Sequence, residues 1–175
     1  MRFQAAGVFE VTRKKNRLID VTTSAKRNFW RDVDAEAPGV RQAAGCYLFV
    51  LFNSSKAMPW YVGKAERQSF EKEIFTAHKV NQYNEVLASH KGTPYIFLIP
   101  RMNGKSHACR PTKVRNDAIG MLETLLIGMA LRRNPQLRNI RDTALLRKLC
   151  IEGVLNSKAS GRLKSAAYHL KKLFE

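Results

Sequence analysis

Two runs of strand-forming residues constrain this chain more than any other stretch. They are Gly45-Cys46-Tyr47-Leu48-Phe49-Val50-Leu51-Phe52 and Trp60-Tyr61-Val62-Gly63-Lys64, and the first is followed by Asn53-Ser54-Ser55-Lys56, which is turn chemistry. Aromatic and β-branched runs separated in this way fold back as a β-hairpin. The first run is apolar almost throughout, the pattern of a strand covered on both faces. The second ends in Gly63, where the missing side chain lets a ligand or another chain come close. Each strand carries a tyrosine near the open end of the hairpin, and Lys64 follows the glycine directly.

The rest of the chain reads around that hairpin. Residues 7–12 and 18–22 form two short strands on either side of a basic knot, Arg13-Lys14-Lys15-Asn16-Arg17, whose charges suit a solvated loop or an arm on phosphates. Residues 24–33 form a short helix that buries Phe29 and Trp30, and Pro38-Gly39 turns the chain into the hairpin. Beyond it, residues 69–78 read as an amphipathic helix with Phe70, Ile74, Ala77 and His78 on one side. Residues 95–99 form a buried strand between Pro94 and Pro100. Residues 101–116 form a polar loop with Arg101, Lys105, Arg110, Lys113 and Arg115 as candidate nucleic-acid contacts. Its Gly104-Lys105-Ser106 is not a phosphate-binding loop, because position 99 is Ile where that motif needs glycine. Residues 117–133 give the clearest helix, capped by Asp117, with Ile119, Leu122, Leu126 and Met129 as its apolar stripe and Arg132 and Arg133 at its end. Two further helices are expected over 142–149 and 160–174; the second turns Leu163, Ala166, Ala167, Leu170 and Leu173 inward and Arg162, Lys164, Lys171 and Lys172 outward.

Composition bears mainly on partners. Lys and Arg number 31 against 14 Asp and Glu, a net charge of +17. Such an excess repels itself in a compact fold and is tolerated most readily by a protein whose partner is a polyanion. Nucleic acid, and DNA first, is the expected partner. No apolar run reaches the length of a membrane span, and the N-terminus lacks the apolar core of a secretion signal. Cys46, Cys109 and Cys150 are odd in number and widely spaced, which suits a reducing compartment and neither a disulfide framework nor a zinc site. A cytoplasmic location is the expectation. At 175 residues the chain is read as one domain. Oligomeric state is not legible.

Gly45-Cys46-Tyr47 and Tyr61-Val62-Gly63 resemble the two half-motifs of the GIY-YIG nuclease family, and Glu123 on a helix and Pro135 to Asn139 resemble its later elements. The resemblance covers residues 40–140, leaving 1–39 as an N-terminal extension and 141–175 as a basic helical one. It implies an α/β domain with a small, mostly antiparallel three-stranded sheet flanked by helices. It also implies a metal-dependent endonuclease that hydrolyses DNA phosphodiester bonds without a small-molecule cofactor; a non-cleaving nucleic-acid-binding module on the same scaffold is the alternative. Carried over residue by residue, Glu123 would hold a single Mg²⁺ or Mn²⁺, a usual arrangement where phosphate oxygens and waters complete the shell. Tyr61 would activate the attacking water, with Tyr47 as its partner and Asn139 as a brace. A tyrosine is a weak base unless cations favour its phenolate. Lys64 and Arg67, just behind Gly63, are the expected cations.

The sequence departs from the family pattern at Glu71, which stands where the resemblance puts an arginine. Arg67 is expected to supply the missing charge, with Lys72 and His78 as further neighbours of the site. A carboxylate at position 71 would pair with a cation or join the metal ligands.

Overall fold

The computed structural model of the chain describes residues 1–54, 56–139 and 165–173. Two compact units emerge, Met1–Arg138 and Asn139–Glu175. The first holds an antiparallel sheet of five strands: β1 (Arg2–Phe3), β2 (Ala6–Glu10), β3 (Gly45–Asn53), β4 (Lys56–Ala65) and β5 (Thr93–Met102). Its helices are α1 (Thr23–Glu36), α2 (Phe70–Glu73), α3 (Ala77–Ser89) and α4 (Asp117–Arg133), with a 3-10 turn at Val40–Gln42. The second unit contains α5 (Ser165–Lys172). Among the described residues no helix is long and apolar enough to cross a membrane.

The hairpin forms as its residue types require, and β3 lies at the centre of the sheet between β4 and β5. Its apolar side chains are therefore covered on both faces. Phe49 packs on the tyrosine face, where its ring stacks on Tyr83 at 4.3 Å between centroids. Complete burial of one such side chain is worth about 1.5–3 kcal/mol. A bulge between Phe49 and Val50 shifts the pairing with β4, so that Trp60 and Tyr61 are both buried. Gly45 faces Pro100 of β5 so closely that a Cβ would stand 2.2 Å from the Ile99 carbonyl oxygen. Only glycine passes there.

The sheet has two more strands than the three-stranded core implied, both short and both from the N-terminal segment: β2 is the strand expected over 7–12, starting one residue earlier, and β1 was not expected. β1 pairs with Arg101 and Met102, and β2 with residues Tyr95 to Leu98 of the same β5 edge, with a shift between Ala6 and Phe9. Gly7 allows the break, at a φ of 67° and with the Phe9 ring where its side chain would be. The expected strand over 18–22 is reduced to a single bridge, Arg13 to Ile19, because the basic knot turns tightly with Arg17 at a φ of 69°.

The helix expected over 69–78 is two helices. The chain leaves α2 at Ile74 and takes extended backbone at Thr76 before α3 begins. Ala77 and His78 consequently face solvent, so His78 is not a core residue. The inward stripe is Val80, Tyr83, Val86 and Leu87 of α3. In α4 the inward side is Ile119, Ile127 and Ala130, with Leu122 and Leu126 partly covered, whereas Met129 is exposed. Asn116, not Asp117, caps α4: its side chain accepts from the Ile119 amide at 3.3 Å. In α5, Ala166 faces solvent, as does Leu173 just beyond it, against the inward roles expected of both. The helix expected over 142–149 lies outside the described residues.

Candidate functional site

Strand alternation decides which of the expected residues can meet. Tyr47 pairs with Gly63 and Phe49 with Tyr61, so the two tyrosines share one face of the hairpin. The ring of Tyr47 lies across Gly63; a Cβ there would fall 2.3 Å from its Cζ atom. The Tyr47 and Tyr61 rings are 6.3 Å apart, and Tyr83 of α3 closes a trio at 6.1 Å from Tyr61. Tyr47 and Tyr83 are fully buried, and their hydroxyls perturb one another without a hydrogen bond of ordinary geometry. Burial above all, with Tyr61 nearby, holds both hydroxyls well above the usual tyrosine range. They stay neutral.

Tyr61 differs from its neighbours in having a cation on its oxygen. The Lys79 ammonium donates to the Tyr61 hydroxyl at 2.6 Å and lies 5.0 Å from the centre of its ring. Glu73 stands 3.5 Å from the same ammonium, and its other carboxylate oxygen accepts from the Gln68 amide. Burial works against the Lys79 charge, yet the Tyr61 contact and Glu73 together hold its titration above the usual lysine range. The cation beside Tyr61 is thus Lys79, three residues into α3, rather than Lys64 or Arg67. Sequence reasoning missed it because the break between α2 and α3 resets the helical phase.

The opposite face carries a second polar group. Cys46 pairs with Lys64, and both point toward α4, where the Cys46 thiol donates to the Ile119 carbonyl at 3.4 Å. Lys64 reaches Glu123 at 3.0 Å and Glu66 at 3.9 Å, and both carboxylates are mostly buried. Glu66 also accepts from the Asn116 amide at the start of α4. Burial, with the Glu123 charge beside it, pushes the Cys46 thiol up to about 12. The geometry therefore separates Glu123 from Tyr47 and Tyr61 by the thickness of the hairpin. The carboxylate on the tyrosine face is Glu73.

Other expected site residues fall elsewhere. Glu71 binds Arg41 of the 3-10 turn and the Gln42 amide, while Arg41 also reaches Asp34 at 3.3 Å and lies over the Trp30 ring. The Arg41 guanidinium holds the Glu71 carboxyl below the usual range. Arg67 and Lys72 are exposed. Asn139 is buried and belongs to the second unit. Asn134 braces β4: its side-chain amide donates to the Pro59 carbonyl at 2.8 Å.

Of the basic loop residues, Lys105, Arg110, Lys113 and Arg115 are exposed, and Arg101 is half-buried at the end of β5. Arg115 pairs with Asp117 at 3.0 Å. Asn103 shapes the tip by accepting from the Lys105 and His107 amides, each at 2.9 Å. A cleft of about 420 Å³ beside this loop is lined in part by Gln42, His107 and Arg110, away from the tyrosine trio. Among the described residues no three His, Cys, Asp or Glu side chains gather as a metal-binding group.

The arrangement offers two capabilities: exposed cations for a polyanion, and one tyrosine hydroxyl held by an ammonium. Comparison with family models, with curated proteins and with solved structures returns no match.

Proposed function

We propose that this protein is a nucleic-acid phosphodiesterase, with DNA as its first candidate substrate, on a GIY-YIG-like scaffold. The observation that carries the reading is the tyrosine pair on one face of a glycine-spaced hairpin. Gly63 clears the space that Tyr47 fills, and Tyr61 stands beside it with its hydroxyl held by a cation. A tyrosine so held can orient a water for attack on phosphorus and accept its proton. The net charge of +17 supplies attraction to the phosphate backbone.

The resemblance also implies Mg²⁺ or Mn²⁺ on Glu123. Glu123 does not fit that role beside Tyr61, because its carboxylate is ion-paired with Lys64 on the far face of the hairpin.

That same separation favours a second reading, a nucleic-acid-binding module without cleavage. One experiment decides between them. Supercoiled plasmid is incubated with the protein and Mg²⁺ or Mn²⁺, beside Tyr61→Phe, and duplex binding is measured across salt. The nuclease reading expects nicking that Tyr61→Phe lowers by about a hundredfold, the scale of losing a general base. Binding without nicking under either metal selects the module. Affinity in both cases should fall on the order of a hundredfold between 50 and 200 mM salt if about five phosphates are neutralised. Salt-insensitive binding, or none, removes nucleic acid as the partner.

A further inference from the structure

Lys79 is an odd residue for its place. It lies in the first turn of α3, where the helix dipole disfavours a cation and where no acidic residue of the helix offsets it. Its side chain is only 17% exposed, as is the 15% exposed Glu73 that accompanies it. Tyr61 is buried, and a single uncharged partner would satisfy its hydroxyl. Drawing an ammonium and a carboxylate out of water for that purpose gains folding little, since burying an ion pair roughly cancels its own attraction. Yet the chain builds this group from three segments: Tyr61 of β4, Glu73 of α2 and Lys79 of α3, with Gln68 from the intervening bend. Costly polar groups of this kind concentrate at functional sites.

The order of the contacts carries the direction of the chemistry. Gln68 donates to Glu73, Glu73 faces the Lys79 ammonium, and the ammonium donates to the Tyr61 oxygen. The tyrosine oxygen is therefore a hydrogen-bond acceptor from a fixed cation. That is the arrangement a phenolate needs, and it also places positive charge beside any anionic phosphate that reaches Tyr61. Glu71, where the family pattern would have an arginine, is committed to Arg41, and Arg67 is exposed in the bend after β4. Lys79 is the cation already in contact with the tyrosine.

Resting on the nuclease reading, we infer that Lys79 is the positioning residue of the site: held by Glu73, it fixes the Tyr61 oxygen and supplies the positive charge for a phosphodiester substrate. In the step, which Tyr61 enters as phenolate, the oxygen of a water bonds to phosphorus while one of its protons passes to the Tyr61 oxygen. The bond from phosphorus to the leaving oxygen breaks, and that oxygen takes a proton from solvent. The products are a phosphomonoester and an alcohol, and Tyr61 later returns its proton to the medium. Lys79 keeps its protons throughout. The other ionisable groups facing this oxygen are Tyr47 from β3, Tyr83 from α3 and Glu73 from α2. Burial keeps the first two neutral.

The test compares single-turnover plasmid nicking across pH for the parent, Lys79→Met, Lys79→Arg, Glu73→Gln and Arg67→Ala, with thermal melting and duplex affinity beside each. Lys79→Met should nick about a hundredfold more slowly near neutral pH, the scale of losing one preorganised charge. Its rate should climb back as pH rises, since hydroxide then replaces the water that must otherwise give up a proton. Lys79→Arg should recover about tenfold of the loss, and duplex affinity should stay within about threefold, since one phosphate contact at most is removed. Should Lys79→Met melt without cooperativity, Glu73→Gln carries the test, with a loss of about tenfold and the same dependence on pH. Parental rates in Lys79→Met, an equal loss at every pH, or a loss confined to Arg67→Ala each overturn the role of Lys79 and leave the nuclease reading intact. A parent that binds DNA and never nicks it overturns that reading, and this inference with it.

Discussion

The two faces of one hairpin each meet a cation, Lys79 of α3 on one and Lys64 of β4 on the other, and the two do opposite things. On one face Tyr61 takes its hydrogen bond from Lys79, a residue eighteen positions away on a helix. On the other, Lys64 turns from Tyr61 and binds Glu123 and Glu66 beneath α4. In a helix, residues three apart are neighbours. In a strand, an odd separation puts them on opposite sides. The comparison teaches that a motif written as Tyr-x-Gly-Lys joins its lysine to its tyrosine only in sequence. The tyrosine face holds one ionised pair beside the Tyr61 ring, and the α4 face holds a lysine between two carboxylates.

The strongest way to break this comparison is to force the hairpin apart. Gly45→Ala meets the Ile99 carbonyl at 2.2 Å, and backbone cannot swing aside. It should destabilise the first unit by about 3 kcal/mol or more, the upper range for overpacking, read as a lower urea midpoint. Gly63→Ala meets only the Tyr47 ring at 2.3 Å, which can tilt. Its cost should be smaller, about 1–3 kcal/mol, with loss of the Tyr47 position as its main effect. Equal midpoints for the two variants would mean that Tyr47 is as immovable as backbone.

Glu123→Gln sharpens the contrast between faces. It leaves Lys64 with less of its anionic environment and should lower stability by about 1–2 kcal/mol, the usual cost of a partly buried partner lost. If the tyrosine face is the reactive one, nicking should fall far less than in Tyr61→Phe. A loss as large as that of Tyr61→Phe would return Glu123 to the chemistry and show that the faces work together.

The smallest effect is expected at the Glu71–Arg41 pair, which is partly exposed and so screened by solvent. Glu71→Gln should cost about 1 kcal/mol or less at neutral pH. Because Arg41 holds the Glu71 carboxyl below its ordinary range, this contribution is present above that range and is lost as pH falls through the folded-state value. Parent and variant should therefore converge in stability in acid. A gap that persists there would place the effect in packing instead.

Residue type and short-range order determined much of this protein without further help. The hairpin, the strand after it, the helix over 117–133 and the α1 helix with its buried Phe29 and Trp30 follow from periodicity and turn chemistry, which act within a few residues. The close approach at Gly63 and the excess of positive charge were equally plain, whereas the need for glycine at 45 comes from the passage of β5. Tertiary structure alone decided what meets what. A break of three residues after α2 turned His78 outward and Lys79 onto Tyr61, because a helix restarted in a new phase points every side chain elsewhere. The pleat of β4 sent Lys64 to Glu123, and the approach of the 3-10 turn to α2 gave Glu71 its arginine. Even β1 and β2 exist as strands only because β5 offers an open edge, since segments of two and five residues have no stability as strands alone. Local pattern sets which elements form; the partner of each charge is set by register and helical phase, where a shift of one residue changes the face.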